Sequence, residues 1–208
     1  QWCAEDNCRM GSQQDDVIHV IKDFLDRLDQ QPLKASDDRT LSQQQGVEAV
    51  FYSMYGGTSS WPMLREALDK AVFDKDGSKM LQLADASDRR NRDGSYGQLN
   101  YAFPAIRCLD SQDNSVRVAE RRLAQESRSA PILGPLNGPD LVCARWPVKS
   151  APKPPKVDVA SAPPIMVIGT TGDPATPYEY AQSMARELGS GVLVTLDGEG
   201  HLAYGQSA

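Results

Sequence analysis

No stretch of this sequence approaches the roughly 18 consecutive apolar residues that a membrane helix needs, which argues against a membrane span. Positive charge is not in excess either. Lys and Arg number 22 against 28 Asp and Glu, for a net charge of −6 and a pI near 5.0. That balance argues against nucleic acid or an anionic membrane surface as partner. Cysteine is scarce: the four residues form no C-x-x-C and have no histidine nearby, so no zinc site is implied. Neither glycine cluster near the C-terminus matches a P-loop or G-x-G-x-x-G, so no nucleotide cofactor is implied. No signal-peptide pattern stands at Gln1-Trp2-Cys3, which opens directly into polar residues, and this is neutral on export. What is present is an ordinary composition, 208 residues with 40% apolar, enough for one large domain or two small ones.

The most informative stretch is Pro163 to Tyr204. An apolar run, Ile165 to Ile168, ends in Gly169-Thr170-Thr171-Gly172 and then Asp173-Pro174. A helical pattern over Pro177–Leu188 follows, then a second apolar run, Val192 to Leu196, ending in Asp197-Gly198-Glu199-Gly200 and His201. Short apolar runs bounded by glycines and separated by a helix predict parallel strands of a βαβ unit. The loop after each strand's carboxyl end delivers one catalytic-type residue, Asp and then His, where open α/β sheets place their chemistry.

The Gly172-Asp173-Pro174-Ala175-Thr176-Pro177 and Gly198-Glu199-Gly200-His201 turns resemble those of the α/β-hydrolase family. In particular they are similar to its secreted, actinobacterial tripeptidyl-aminopeptidase-like branch, which includes mycobacterial cell-envelope serine proteases. The resemblance makes Asp173 the triad acid and His201 the general base. A serine hydroxyl needs an imidazole to take its proton, and the imidazole needs a carboxylate to fix its tautomer. Chain order in the family is Ser, then Asp or Glu, then His, so the nucleophile is expected upstream of Asp173. The one tempting elbow, Asp93-Gly94-Ser95-Tyr96-Gly97, has Asp93 where a small residue is needed. It follows Asp85–Arg92, too polar for a buried strand. Ser95 therefore reads as an exposed loop residue. The expectation is that the serine and the first core strands belong to an N-terminal segment absent from these residues.

Upstream, Val17, Val20, Ile21, Phe24, Leu25 and Leu28 recur at helical spacing and predict an amphipathic helix over Gln13–Leu28. His19 falls on its charged side and reads as solvated. A second helix is predicted over Ser42–Tyr55, and a third after Gly56–Ser60, capped by Ser60 with Trp61-Pro62 in its first turn. A short helix is predicted around Lys79–Ala84. From Gln98 the residues Leu99, Tyr101, Phe103, Ile106 and Cys108 predict a buried segment, and Val116–Ser127 a basic-faced, solvated helix. A last helix starts at Gly138-Pro139-Asp140 and ends at Trp146-Pro147. Lys149–Lys156 is a stiff proline-rich connector. The composition change there sets a boundary near residue 156: a mainly helical lid over 1–156, and over 157–208 the last two strands and helix of an α/β-hydrolase core. Two strands alone cannot bury both faces of a parallel sheet, so the lid is expected to be the stable part of the isolated chain.

An even cysteine count in a loop-rich region suggests two disulfides and an oxidising compartment, with three pairings open. The resemblance implies Cys3 with Cys8 and Cys108 with Cys143. It also implies that Tyr55 and Trp61 line an acyl pocket, while Thr176 reads as the cap of the Pro177 helix, with holding the acid loop as a secondary role. The function it implies is that of a serine peptidase, secreted or in the cell envelope, releasing short peptides from polypeptide N-termini without metal or cofactor. Its partners would be a peptide or polypeptide substrate and the absent N-terminal core segment. The alternatives are an esterase of the same fold, or a non-catalytic lid or binding module.

Overall fold

The computed structural model describes residues 1–6, 8–110, 115–148, 159 and 161–205. The connector at 149–156 and the boundary at 156 lie outside them. The chain forms two compact units, Gln1–Ala49 with Ala67–Pro154, and Val50–Glu66 with Pro155–Ala208. Val50–Glu66, grouped by the sequence reading with the helices before 156, is thus compact with the strands.

The first unit is mainly helical. It opens with α1 (Trp2–Glu5) and α2 (Gln14–Gln30), and the apolar spacing of α2 turns Val17, Phe24, Leu25 and Leu28 inward. A small antiparallel pair follows, β1 (Leu33–Lys34) and β2 (Thr40–Leu41). Helix α3 (Gln43–Tyr55) starts on a capping box: the Gln45 N–H donates to Ser42 Oγ at 3.4 Å and the Ser42 N–H to Gln45 Oε1 at 3.0 Å. Ala67, Leu68, Ala71 and Val72 of α4 (Trp61–Phe73) and Met80, Leu81, Leu83 and Ala84 of α5 (Ser78–Ser87) are also buried. Arg39 joins the β-pair to α5 through two hydrogen bonds to the Asp85 carboxylate, 2.6 and 2.7 Å, which hold that carboxyl below its ordinary range.

Three further helices close this unit, α6 (Leu99–Asp110), α7 (Val116–Ser129) and α8 (Leu141–Ala144). The Cys108–Cys143 bond and the Arg107–Asp140 ion pair tie α6 to the start of α8, and Cys3 is bonded to Cys8. The expectation of a buried segment after Gln98 is corrected here. Cys108 is the buried residue of α6, while Leu99, Tyr101, Phe103 and Ile106 are exposed. Leu99, Phe103 and Ile106 recur at i, i+4 and i+7, which gathers them on one helix face. The sequence pattern announces an apolar face without saying whether anything covers it.

In the second unit β3 (Ile165–Gly172) runs parallel to β4 (Gly191–Glu199), with α9 (Tyr178–Glu187) as the crossover. Ile165 stands opposite Gly191 and Thr170 opposite Leu196. One register shift between Thr170 and Gly172 sets Gly172 opposite Glu199. Both strands therefore end at the same level. Among the described residues the sheet has these two strands alone, and Met166, Val192 and Val194 are exposed.

Candidate active site

Because Gly172 and Glu199 are cross-strand neighbours, the residues just beyond them, Asp173 and His201, emerge side by side. His201 Nδ1 lies 3.0 Å from Asp173 Oδ1 and 3.1 Å from Oδ2. The carboxylate is 4% exposed and the imidazole 24%. Asp173 Oδ1 also accepts from the Ala175 and Thr176 N–H groups, at 2.9 and 2.8 Å. Its Oδ2 accepts from Thr176 Oγ1 at 2.9 Å and from the Leu202 N–H at 3.1 Å. Burial opposes the charged form. The three backbone donors and the histidine outweigh it and hold the Asp173 carboxyl far below the ordinary carboxylate range.

A carboxylate so held can only accept hydrogen bonds, so Nδ1 carries the proton and the neutral imidazole keeps its lone pair on Nε2. The arrangement is therefore a base with one fixed tautomer. What it can do is take a proton at Nε2 and spread the resulting charge toward a buried anion.

The turn that delivers the histidine is strained and pinned. Gly200 has φ +110° and Leu202, a branched residue, has φ +70°, a left-handed backbone that costs of order 1–3 kcal/mol. The Gly200 N–H donates to the Gly172 carbonyl at 3.2 Å, and the His201 N–H to the Tyr55 carbonyl at 2.8 Å. Thr171 Oγ1 joins the strand ends, donating to Asp197 Oδ1 at 2.9 Å and accepting the Gly198 N–H at 3.1 Å. Gly57 has φ +57°, and a Cβ there would meet the Glu199 carbonyl oxygen at 2.3 Å. Only glycine permits that approach of backbone to backbone.

Of the residues picked from the sequence, the structure brings Asp173, His201 and Tyr55 together. The Tyr55 ring stands edge-to-face with the imidazole, centroids 5.0 Å apart and planes at 70°. Trp61 is half-buried at the start of α4. The four cysteines lie in the helical unit. Ser95 is exposed on a turn closed by the Arg90–Tyr96 bridge, and its Oγ donates to Asp93 Oδ1 at 2.6 Å. His19 is exposed on α2. Two expected helix caps bond elsewhere, Thr176 in its secondary, acid-loop role. Thr176 does not cap α9, whose N-terminal Pro177 has no side-chain cap. Its hydroxyl instead donates to the acid and lies 3.5 Å from His201 Nδ1. The signal was the Asp-x-x-Thr spacing, which lets one carboxylate gather the N–H groups two and three residues on. Ser60 likewise donates to the carbonyls of Ser53 and Gly57, serving the loop behind the histidine turn.

A groove of about 390 Å³ opens beside the acid, lined by Val167, Ile168, Thr170, Thr176, Met184 and Leu202 among others. The Thr170 hydroxyl there is buried without a hydrogen-bond partner. Among the described residues no group of three or more His, Cys, Asp or Glu could hold a metal ion, and no helix is long and apolar enough to cross a membrane.

Residues 130–208 match the family described as TAP-like protein. Over 201 residues the chain is 34% identical to "Carboxylesterase B" of Mycobacterium tuberculosis, covering 94% of this chain and 38% of that protein. Over 212 residues it is 31% identical to "Serine protease Hip1" of the same organism, covering 96% of this chain and 40% of that protein. The chain thus spans less than half the length of these curated relatives.

Proposed function

We propose that the chain, whose residues 130–208 match the TAP-like family, is a helical lid with part of an α/β-hydrolase core and carries the acid and base of a serine hydrolase. Asp173 is the acid and His201 the general base. The nucleophilic serine is supplied by a segment outside these 208 residues, which also contributes core strands beside β3. The observation that carries this reading is the Asp173–His201 pair at 3.0 Å, held on a carboxylate that its backbone donors keep charged. A pair that fixes the Nδ1–H tautomer is what an attacking hydroxyl requires of its base.

In this reading Nε2 takes the serine proton as the hydroxyl attacks an acyl carbon and returns it to the leaving group. Backbone N–H groups stabilise the oxyanion, one of them just after the serine. The substrate is a peptide or polypeptide cut near its N-terminus. Similarity to a protein named as a serine protease supports that choice; similarity to one named as a carboxylesterase favours an ester as the second reading. Both substrates use the same triad, and pocket shape divides them. Two disulfides support an oxidising location, secreted or in the cell envelope.

The test is labelling with a fluorophosphonate probe. The full-length protein should label, losing about 10⁶-fold in labelling rate on His201→Ala, while the 208-residue chain should not label. Labelling of the chain alone, abolished by Ser95→Ala, would place the nucleophile at Ser95 and overturn the reading. Absence of labelling in both would favour a binding module.

A further inference from the structure

The His201 side chain is held at Nδ1 by its bond to the acid, with Thr176 Oγ1 3.5 Å from the same nitrogen. Both Asp173 oxygens lie at nearly equal distance from Nδ1, 3.0 and 3.1 Å, so this shared bond sets the tautomer but tolerates small rotations about Cβ–Cγ in which Nδ1 passes from one oxygen toward the other. A swing moves Nε2 away from any hydroxyl it is to deprotonate. Something beside the ring must limit that rotation.

Tyr55 occupies that place. Its backbone carbonyl accepts the His201 N–H at 2.8 Å, which holds the main chain. Its ring meets the imidazole edge-to-face at 5.0 Å, within the range in which such pairs attract. The tyrosine is itself braced one helical turn back, by Phe51 at 6.2 Å between centroids. Just after it, Gly57 presses on the Glu199 carbonyl, so the last residue of α3 cannot drift from the histidine turn.

We propose that Tyr55 is a positioning residue for His201: its ring limits rotation of the imidazole and so fixes the direction of Nε2. The inference rests on the reading of His201 as the base. The ring and the carbonyl are separable, because substitution of the side chain leaves the main-chain bond in place. Phenylalanine should therefore serve as well as tyrosine, and an aliphatic residue should not.

The experiment is NMR of the ¹⁵N-histidine-labelled full-length protein, reading the solvent exchange rate of the His201 Nδ1–H proton. Tyr55→Leu should speed that exchange about tenfold, the upper end of what an edge-to-face pair provides. Tyr55→Phe should stay within about twofold of the parent. Equal rates in the two variants would overturn the inference. Should Tyr55→Leu fail to fold, Phe51→Leu, which removes only the brace, should give an intermediate acceleration, and no change there would overturn it as well. Asp173→Asn separates the two layers. If it leaves the Nδ1–H signal untouched, the acid–base reading itself fails. If it removes the signal while Tyr55→Leu does nothing, only the role of Tyr55 falls.

Discussion

In the helical unit Leu25, Leu41 and Met80 are 0% exposed, whereas in the strand unit the best-buried described aliphatic residue, Val167, keeps 7% and its sheet neighbours Val192 and Val194 face solvent. The proposed acid–base pair nevertheless sits in the second unit, already assembled. The helical unit is held by apolar burial, worth about 25 cal/mol per Å². The strand unit's site is held by a local net: four donors besides the histidine on one carboxylate, two backbone positions of positive φ, and a glycine contact. An Asp–His pair can be geometrically complete on a scaffold that buries little of its own sheet. The lesson is that precision of a site and stability of its support are separate properties, set by different residues.

Hydrogen exchange tests that contrast most severely. In the isolated chain the amides of Phe24 and Leu25 should exchange at least about a hundredfold more slowly than those of Val167 and Val194, because protection follows local burial and contact density. Equal protection would mean that two strands and one helix suffice as a core, contrary to the behaviour of parallel sheets. Adding the rest of the full-length protein should raise protection at Val167 far more than at Phe24. The same contrast decides what was legible in the sequence. The period of α2 and the two apolar runs gave the elements, and the Asp-Pro and Gly-His turns gave the pair, because each signal is local. The contact between Tyr55 and His201 joins residues far apart in the chain and leaves no pattern in either stretch. The Leu99–Ile106 face was misjudged for the related reason that periodicity reports a face but not its neighbour. Thr176 was read first as a cap and only second as holding the acid loop, because its partner Asp173 lies outside the helix.

A middle-sized effect separates the two disulfides within the helical unit. Cys108 and Cys143 are 35 residues apart and Cys3 and Cys8 only 5. Loop-closure entropy then predicts a loss of about 4 kcal/mol on Cys108→Ser with Cys143→Ser, against about 2 kcal/mol on Cys3→Ser with Cys8→Ser. Urea midpoints of the two double variants check this order. A larger loss from the short loop would mean that the N-terminal turn, rather than the α6–α8 link, organises the unit.

The smallest effect concerns a misplaced charge in the same unit, and it sharpens the comparison with Asp173. Burial, then the Glu48 and Asp85 carboxylates, push the Asp88 carboxyl above its ordinary value, and the residue caps the C-terminus of α5, the end where a helix disfavours negative charge. A raised carboxyl pKa means the folded state binds the proton more tightly than the unfolded one. Asp88 therefore destabilises at neutral pH, and the penalty fades as pH falls through its raised value and is gone below the ordinary carboxylate range. For Asp173, held low, the sign is opposite: its contribution is complete above the unfolded value near 4 and is lost as pH falls below it. Asp88→Asn should stabilise the chain at pH 7 by less than about 1 kcal/mol, since the side chain is largely solvated, and should do nothing at pH 3. Thermal melts at the two pH values check this, and equal stabilisation at both would assign the effect to helix propensity rather than charge. The two aspartates thus divide the molecule in acid: protonation relieves the helical unit at Asp88 while it releases the turn that holds the base.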